Sequence, residues 1–299
     1  MCPNNHESPA VSVIVCTYNH GIYIGKCIEG ILRQTFKDFE LIIINDGSTD
    51  DTDEVVKSFG DRRIRYIRLE TNSGSIGKIR NLAVSYARGE YIFFTDSDCI
   101  PESDWIEMGL AEFRKSDVYA VEGKLIYHKE GYKPALSERK VSNEVGGMWM
   151  NANMAFRRVI FEEFNYDPAM RRQEDRELAI RIQRKYKIPF TPSCIVYHQI
   201  IKRNIGGYLR EARNLSTDEM IMLFKNYGDR NDMFANKYRI YAPHLLIVLL
   251  VPPVVLIEIF LGRIRSWKDV TLLPFVWLKS VYLRYLVWKA AIKHRIFIL

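Results

Sequence analysis

Asp96 and Asp98 are the residues whose type and spacing invite chemistry. They are two carboxylates one residue apart, and they follow the run Tyr-Ile-Phe-Phe-Thr at 91–95. Carboxylates that close repel each other, so the pair is favourable where a cation neutralises it. Hard oxygen ligands of this kind suit Mg²⁺ or Mn²⁺, with a substrate's phosphates completing the coordination. Taken alone, Asp-Ser-Asp is more readily a solvated turn or a helix cap, so the elements around it decide its meaning.

Those elements repeat one scheme. Residues 11–16, 41–44, 64–69 and 91–95 are apolar runs that read as buried strands. Ile24, Cys27, Ile28, Ile31 and Leu32 recur at helical spacing, and helices are expected after Thr49-Asp50 and near Ile76. The order strand–helix–strand with short connections predicts a parallel sheet covered by helices on both faces. Ligands bind such a sheet at the C-terminal ends of its strands. Tyr18, Asp46, Arg80, Asp96 and Asp98 all follow strand ends, so they are expected to converge on one cleft. A helix over 103–114 and a strand over 118–121 come next, followed by a polar, irregular stretch at 123–147 that reads as a surface excursion or lid. Glu174-Asp175 opens a helix with Leu178, Ile182 and Tyr186 on one face, and two acids in a first turn suit the helix dipole. Residues 195–198 form a short strand ending in His198.

Composition sets the outer bounds. The 299 residues are 47% hydrophobic and 26% charged, an ordinary globular balance with room for one large domain or two smaller ones. The net charge is +7, and much of it sits between Lys279 and Arg295 among bulky apolar residues. An anionic substrate or membrane surface fits that balance, whereas no nucleic-acid-binding module is recognisable. The five cysteines include no Cys-x-x-Cys pair and read as reduced residues of a cytosolic protein. The first residues lack the basic and apolar regions of a signal peptide, so the sequon at Asn214 is taken as a chance match. No Gly-x-Gly-x-x-Gly follows the first strand, which counts against a dinucleotide cofactor. Gly74-Ser75-Ile76-Gly77-Lys78 is too compact for a P-loop.

Taken jointly, several segments resemble family 2 glycosyltransferases of the GT-A fold. They are Val-Ser-Val-Ile-Val-Cys-Thr-Tyr-Asn at 11–19, Ile-Asn-Asp-Gly-Ser-Thr-Asp at 44–50, Asn-Ser-Gly at 72–74 with Arg80-Asn81, and Thr-Asp-Ser-Asp at 95–98. Asn-Met-Ala-Phe-Arg-Arg at 153–158, Glu-Asp-Arg-Glu-Leu at 174–178 and Val-Tyr-His at 196–198 continue the match in order. The match covers roughly residues 10–200 and fades beyond His198. The resemblance implies an α/β nucleotide-sugar-binding domain, taken over about 10–228, while 229–299 are read from their apolar composition as a membrane-associated helical region. It implies transfer of a sugar from a nucleotide diphosphate, UDP-linked by default, to an acceptor hydroxyl with inversion.

In that reading Thr17, Tyr18 and Asn19 line the nucleotide base and Asp46 accepts from the base's N–H. Arg80 reaches the diphosphate or ribose, Asp96 faces the ribose or metal side, and Asp98 ligates Mg²⁺ or Mn²⁺ with His198 as a further metal-side ligand. Asp175, beside Glu174, is the general base, and Asn151 and Asn153 line the acceptor side behind a Gly146-Gly147 hinge. Asn45 stands where many relatives carry a second acid. The Gln-x-x-Arg-Trp motif of processive synthases is absent after Asp175, so addition of one sugar is expected.

Residues 244–262 are almost wholly apolar but carry Pro252-Pro253 and Glu258, and a second apolar stretch at 270–292 carries Lys279, Arg284 and Lys289. Three arrangements fit: a hairpin of two spans, an interfacial or re-entrant pair on the cytoplasmic face, and buried helices of a second domain. Trp267, Trp277 and Trp288 favour a membrane interface over a plain core. Membrane lipids along 243–292, and an acceptor glycan or polyprenyl-linked saccharide, are the partners this implies.

Overall fold

The computed structural model describes residues 8–208, 217–227 and 262–295. Cys2, the sequon at 214–216 and most of the first C-terminal apolar stretch lie outside them. The chain divides into two compact units: Met1–Lys129 with Val141–Gln199, and Glu130–Lys140 with Ile200–Leu299.

The first unit is built on an eight-stranded sheet. In chain order its strands are β1 (Val11–Thr17), β2 (Phe39–Asn45), β3 (Ile64–Arg68), β4 (Tyr91–Asp96), β5 (Cys99–Pro101), β6 (Ala120–Tyr127), β8 (Met154–Arg157) and β9 (Phe190–His198). A two-residue strand, β7 (Glu138–Arg139), belongs to the second unit. The spatial order is β3-β2-β1-β4-β8-β6-β9-β5. The first four strands are parallel, as the alternating pattern predicts. The other half is mixed, because β8 runs antiparallel to both β4 and β6, and β5 antiparallel to β9. Helices α1 (Gly21–Leu32), α2 (Thr52–Lys57), α3 (Ile76–Tyr86), α4 (Trp105–Glu112) and α5 (Glu174–Gln183) complete the unit.

The apolar residues of the strands explain the core. Val13, Val15, Leu41, Ile43 and Phe93 are buried together with Ile24, Cys27, Ile28 and Ile31 of α1, the stripe that the helical spacing predicts. Trp105 stands edge-on to Phe93 at 5.1 Å and is fully buried.

Strand register then sets the functional edge. Thr17 pairs with Asn45, Asn45 with Arg68, and Cys16 with Asp96, so four strands end at one level and release their loops side by side.

Two sequence expectations are corrected. The strand expected over 118–121 starts at Ala120 and runs on to Tyr127, inside the stretch read as irregular. Glu122, Gly123 and Lys124 break its apolar pattern, and the register shifts between Gly123 and Lys124. The next segment is pinned as well: Glu122 is buried, and its carboxylate accepts from Asn143 Nδ2 (2.6 Å), Gly147 N (2.7 Å), Met148 N (2.9 Å) and Trp149 N. Gly146, Gly147 and Trp149 have φ of 83°, 83° and 49°, which curls successive N–H groups around that one anion.

The second unit contains β7 paired with β10 (Ile201–Lys202), and helices α6 (Thr217–Tyr227) and α7 (Trp267–His294). Asp269 caps the start of α7: it accepts from the backbone of Arg265, Ser266 and Ser137. α7 is long and apolar enough to cross a membrane by length and composition.

Candidate active site

β4 carries Asp96 to the sheet edge, and a tight turn through Ser97 leads to Asp98 and β5. β5 pairs with β9 so that Cys99 stands opposite His198. That register, which links residues about a hundred positions apart, brings His198 Nε2 to 3.4 Å from Asp98 Oδ2. His198 Nδ1 lies 2.8 Å from the carbonyl of Gln199, and Gln199 N donates to the Asp98 carbonyl at 2.8 Å. An imidazole whose Nδ1–H is held by a carbonyl presents the Nε2 lone pair, the tautomer a metal needs.

Asp98, Cys99 and His198 place their ligand atoms within 4.8 Å of one another. Burial, and then the charges of Asp98 and Asp96, push the Cys99 thiol well above its ordinary range. It therefore stays protonated, and the donor set is a carboxylate oxygen and an imidazole nitrogen. That mixed pair fits Mn²⁺ better than Mg²⁺, which prefers oxygen alone.

Asp96 has a different partner. Arg80 Nη2 lies 3.6 Å from its Oδ1, and its side chain is 44% exposed. Burial of the neighbourhood raises the Asp96 pKa, against the pull of Arg80 and with a push from Asp98. Arg80 is itself buried and makes a close ion pair with Glu174. It is therefore the buried counter-charge between Asp96 and Glu174; the role expected for it is a reach toward the diphosphate or ribose. Burial pushes Glu174 up to about 7, with Arg80 opposing and Asp175 adding.

Helix α3 holds Arg80 in place. Ser75 caps its start, accepting from Lys78 N, and Ser75 Oγ donates to the Pro168 carbonyl at 2.8 Å. Asn81 exchanges two bonds with the backbone of Tyr166. A Cβ at Gly77 would come within 2.8 Å of the Asp167 carbonyl, so only glycine lets the 166–168 segment pack there.

Asp175, the next residue to Glu174, has a different environment. It is partly exposed, with Oδ2 accepting from Asn151 N (3.2 Å) and Oδ1 from Arg176 N (2.8 Å). Gln173 before it adopts φ 61°, which turns the chain sharply into α5.

Asn151 and Asn153 flank this point in a single 3-10 turn, and both are buried. The Asn151 amide, oriented to suit its neighbours, accepts from the Tyr166 hydroxyl (2.8 Å) and from Arg80 (3.2 and 3.3 Å). Asn153 accepts from the Trp105 indole (2.8 Å) and donates to the carbonyls of Lys124 (2.9 Å) and Cys194 (2.8 Å). Its amide thus ties α4, β6 and β9 together.

The loops after β1 and β2 form the other side. Thr17 Oγ1 is buried without a hydrogen-bond partner among the described residues, and Tyr18 is 44% exposed. Asn19 sits at φ 54° and locks the two loops: its N donates to Ser48 Oγ (2.9 Å) and its Oδ1 accepts from Thr49 N (2.8 Å). His20 Nδ1 reaches Ser97 Oγ at 2.7 Å, joining the same loop to the turn between the two aspartates.

Asp46 accepts from Ser73 N (2.8 Å), Ser73 Oγ (3.0 Å) and Asn72 Nδ2 (3.0 Å). Burial raises its pKa while the Ser73 bonds lower it. A Cβ at Gly47 (φ 73°) would meet the Thr71 carbonyl carbon at 2.5 Å, so that close approach needs glycine. Asn45, in the place of the missing second acid, donates to the Tyr66 hydroxyl (2.8 Å) and accepts from Ser48 N (2.8 Å). The Tyr66 hydroxyl in turn donates to Asp53 at 2.7 Å. The charges of Arg80, Asp96, Asp46 and Glu174 all act on the Cys16 thiol at the end of β1, as expected of residues gathered at one sheet edge.

Glu122 and Tyr166 escaped sequence reasoning. Glu122 showed a weak signal, an acid inside an apolar run, while Tyr166 showed none.

Comparison with known proteins agrees with the architecture. A family model described as glycosyl transferase family 2 matches residues 12–195. The glycosyltransferase GlyG of Streptococcus pneumoniae is 29% identical over 232 residues, covering 70% of this chain and 76% of that one. The chondroitin synthase of Pasteurella multocida is 40% identical over 115 residues, 38% of this chain but 12% of that protein. Among solved structures, Staphylococcus aureus TarS 1–349 in complex with UDP aligns with TM-score 0.54 at 18% identity, covering 95% of this chain and 91% of that one. The mannosyltransferase PcManGT of Pyrobaculum calidifontis, in complex with GDP-Man and Mn²⁺, aligns with TM-score 0.60 at 19% identity, covering 98% and 89%. A sheet of this order, with its loops gathered at one edge and the family pattern running through it, places the chain in glycosyl transferase family 2.

Proposed function

We propose that this glycosyltransferase moves a sugar from a nucleoside-diphosphate donor to an acceptor hydroxyl with inversion, in a reaction that depends on a divalent cation. The observation that carries the reading is the separation of carboxylates at one sheet edge. Asp98 is joined to His198, Asp96 and Glu174 share Arg80, and Asp175 stands apart and partly open to solvent.

Asp98 and His198 are the residues that would hold Mn²⁺ or, less favourably, Mg²⁺. When bound, such an ion neutralises the charge that develops on the leaving diphosphate. Tyr18 and the unpartnered Thr17 Oγ1 would meet the nucleoside, with Asn19 and Asp46 holding the loops that form its seat. Arg80 fixes the orientation of Asp96 toward the ribose.

Asp175 would take the proton of the acceptor hydroxyl as its oxygen bonds to the anomeric carbon and the bond to the diphosphate breaks. Its carboxylate is partly open to solvent and is oriented by the N–H groups of Asn151 and Arg176. Glu174 is unsuited to that task because it is buried against Arg80.

Uridine and guanosine donors both remain in view, since the named structural neighbours bind UDP and GDP-Man respectively. The acceptor we favour is a lipid-linked saccharide or surface-glycan precursor, met at the cytosolic face of a membrane. The support for that location is the apolar helix α7.

A thermal-shift panel of UDP- and GDP-sugars with and without Mn²⁺ tests the reading, because a donor that binds the folded state raises its melting temperature. We expect a shift with one nucleotide class that needs both Mn²⁺ and Asp98. A shift of equal size in EDTA, or in Asp98→Ala, rules out the metal role.

A further inference from the structure

We infer that α7 lies flat on an anionic bilayer through one continuous apolar face, and does not cross it. The inference rests on the membrane reading above and sharpens it.

Both sides of α7 are apolar. One side is used within the second unit: Leu272 and Val276 cluster with Leu136 and Tyr208, and Val287, Ala290 and Ala291 are buried further along. Among the described residues the opposite side is open. Leu278, Val281, Tyr285, Trp288 and Ile292 recur at steps of three and four, with Tyr282 beside them, so they form one stripe along the helix. All six are exposed; Tyr285 is 54% and Ile292 78% accessible.

A lone crossing helix would meet lipid on every side, with no place to bury a charge. α7 instead buries Asp269 at its start and Arg284 in its second half. Near its end Lys293 and His294 pair with Asp218 of α6 at 2.7 and 3.0 Å. Fixed to its own unit through Asp269, Leu272, Val276, Arg284, Val287 and Ala291, the helix leaves one apolar face for lipid among the described residues. Its 28 residues extend roughly 42 Å along that surface.

Charge and aromatic chemistry choose the occupant. Lys289 sits within the stripe between Tyr285 and Ile292, and Lys268, Lys293 and Arg295 are exposed nearby. On a bilayer a lysine stem lies among acyl chains while its ammonium reaches lipid phosphates, and Tyr and Trp rings prefer the same depth. A second copy seated on the stripe would have to bury Lys289 without a partner charge.

Flotation of the full chain with phosphatidylcholine vesicles, with and without phosphatidylglycerol, tests the inference. Tyr285→Glu with Trp288→Glu, both at exposed positions, should weaken binding at least tenfold. Lys289→Glu should weaken binding only where phosphatidylglycerol is present. Arg265→Cys and Arg295→Cys, at the two ends of α7, should both react with a membrane-impermeant maleimide added outside sealed vesicles. Protection of one end means that α7 crosses. Unchanged flotation of the double variant means that another segment binds, so this inference fails while the membrane reading stands. Absence of flotation with any vesicle overturns both. A dimer in solution that the double variant abolishes, without vesicle binding, assigns the face to a second copy.

Discussion

His198 Nε2 stands 3.4 Å from Asp98 Oδ2, with its other ring nitrogen held by the carbonyl of Gln199. The pairing of β5 with β9 alone makes this contact. His198→Ala should therefore act like Asp98→Ala on metal use, lowering turnover on the order of a hundredfold and raising the Mn²⁺ concentration needed for half activity. A Mn²⁺ titration of donor turnover measures it. Unchanged Mn²⁺ dependence in His198→Ala removes this histidine from the site.

Asp175 and Glu174 are neighbours with separate tasks, and two isosteric substitutions distinguish them. Asp175→Asn should keep donor binding and the melting temperature but lose roughly 10²–10⁴ in transfer rate, the range for removal of a general base. Glu174→Gln should leave Arg80 buried without its main counter-charge, at a cost of about 3–5 kcal/mol in stability. Chemical denaturation and single-turnover transfer together decide this. A destabilised Asp175→Asn with normal transfer reverses the assignment.

Glu122 gathers Asn143 and three successive backbone N–H groups, and the strap it pins continues to Asn151, whose N–H holds Asp175. Glu122→Gln turns an N–H group toward N–H donors. It should destabilise the fold by about 1–3 kcal/mol. Transfer should fall further than donor affinity, because the strap leads to the base. A variant with intact kcat and weakened donor binding would show that the strap serves the donor instead.

Asp269 supplies a pH signature for the second unit. Burial on its own would raise the pKa. The bonds from Ser137, Arg265 and Ser266 override it and hold Asp269 down at about 2. A carboxyl depressed in the folded state contributes stability above its unfolded pKa of about 3.9, and that contribution is lost as pH falls through about 2. Asp269→Asn should cost about 2 kcal/mol at pH 7 by this linkage. Urea unfolding at pH 7, 4 and about 2.5 should show the difference between wild type and variant shrinking. A difference that stays constant means the carboxylate's charge is not what anchors α7.

Much of this protein was legible in its sequence. The apolar runs ending at Thr17, Asn45 and Asp96, with helical stripes between them, determine parallel strands that release polar loops at a common edge, because a buried run leaves its polar residues only the strand end. The family pattern then singled out Asp98, Asp175 and His198. What each carboxylate touches was decided only by tertiary structure. Arg80 became a counter-charge for Glu174 because α3 is clamped to the 166–168 segment. Asn153 became a tie between α4, β6 and β9, and Glu122 the centre of a backbone nest. Those partners are distant in the chain and follow no local period, since hydrogen bonds and ion pairs across elements depend on register and packing. The same holds for α7. Its sequence reads as apolar nearly all round, and only its packing shows which side is buried and which is exposed among the described residues.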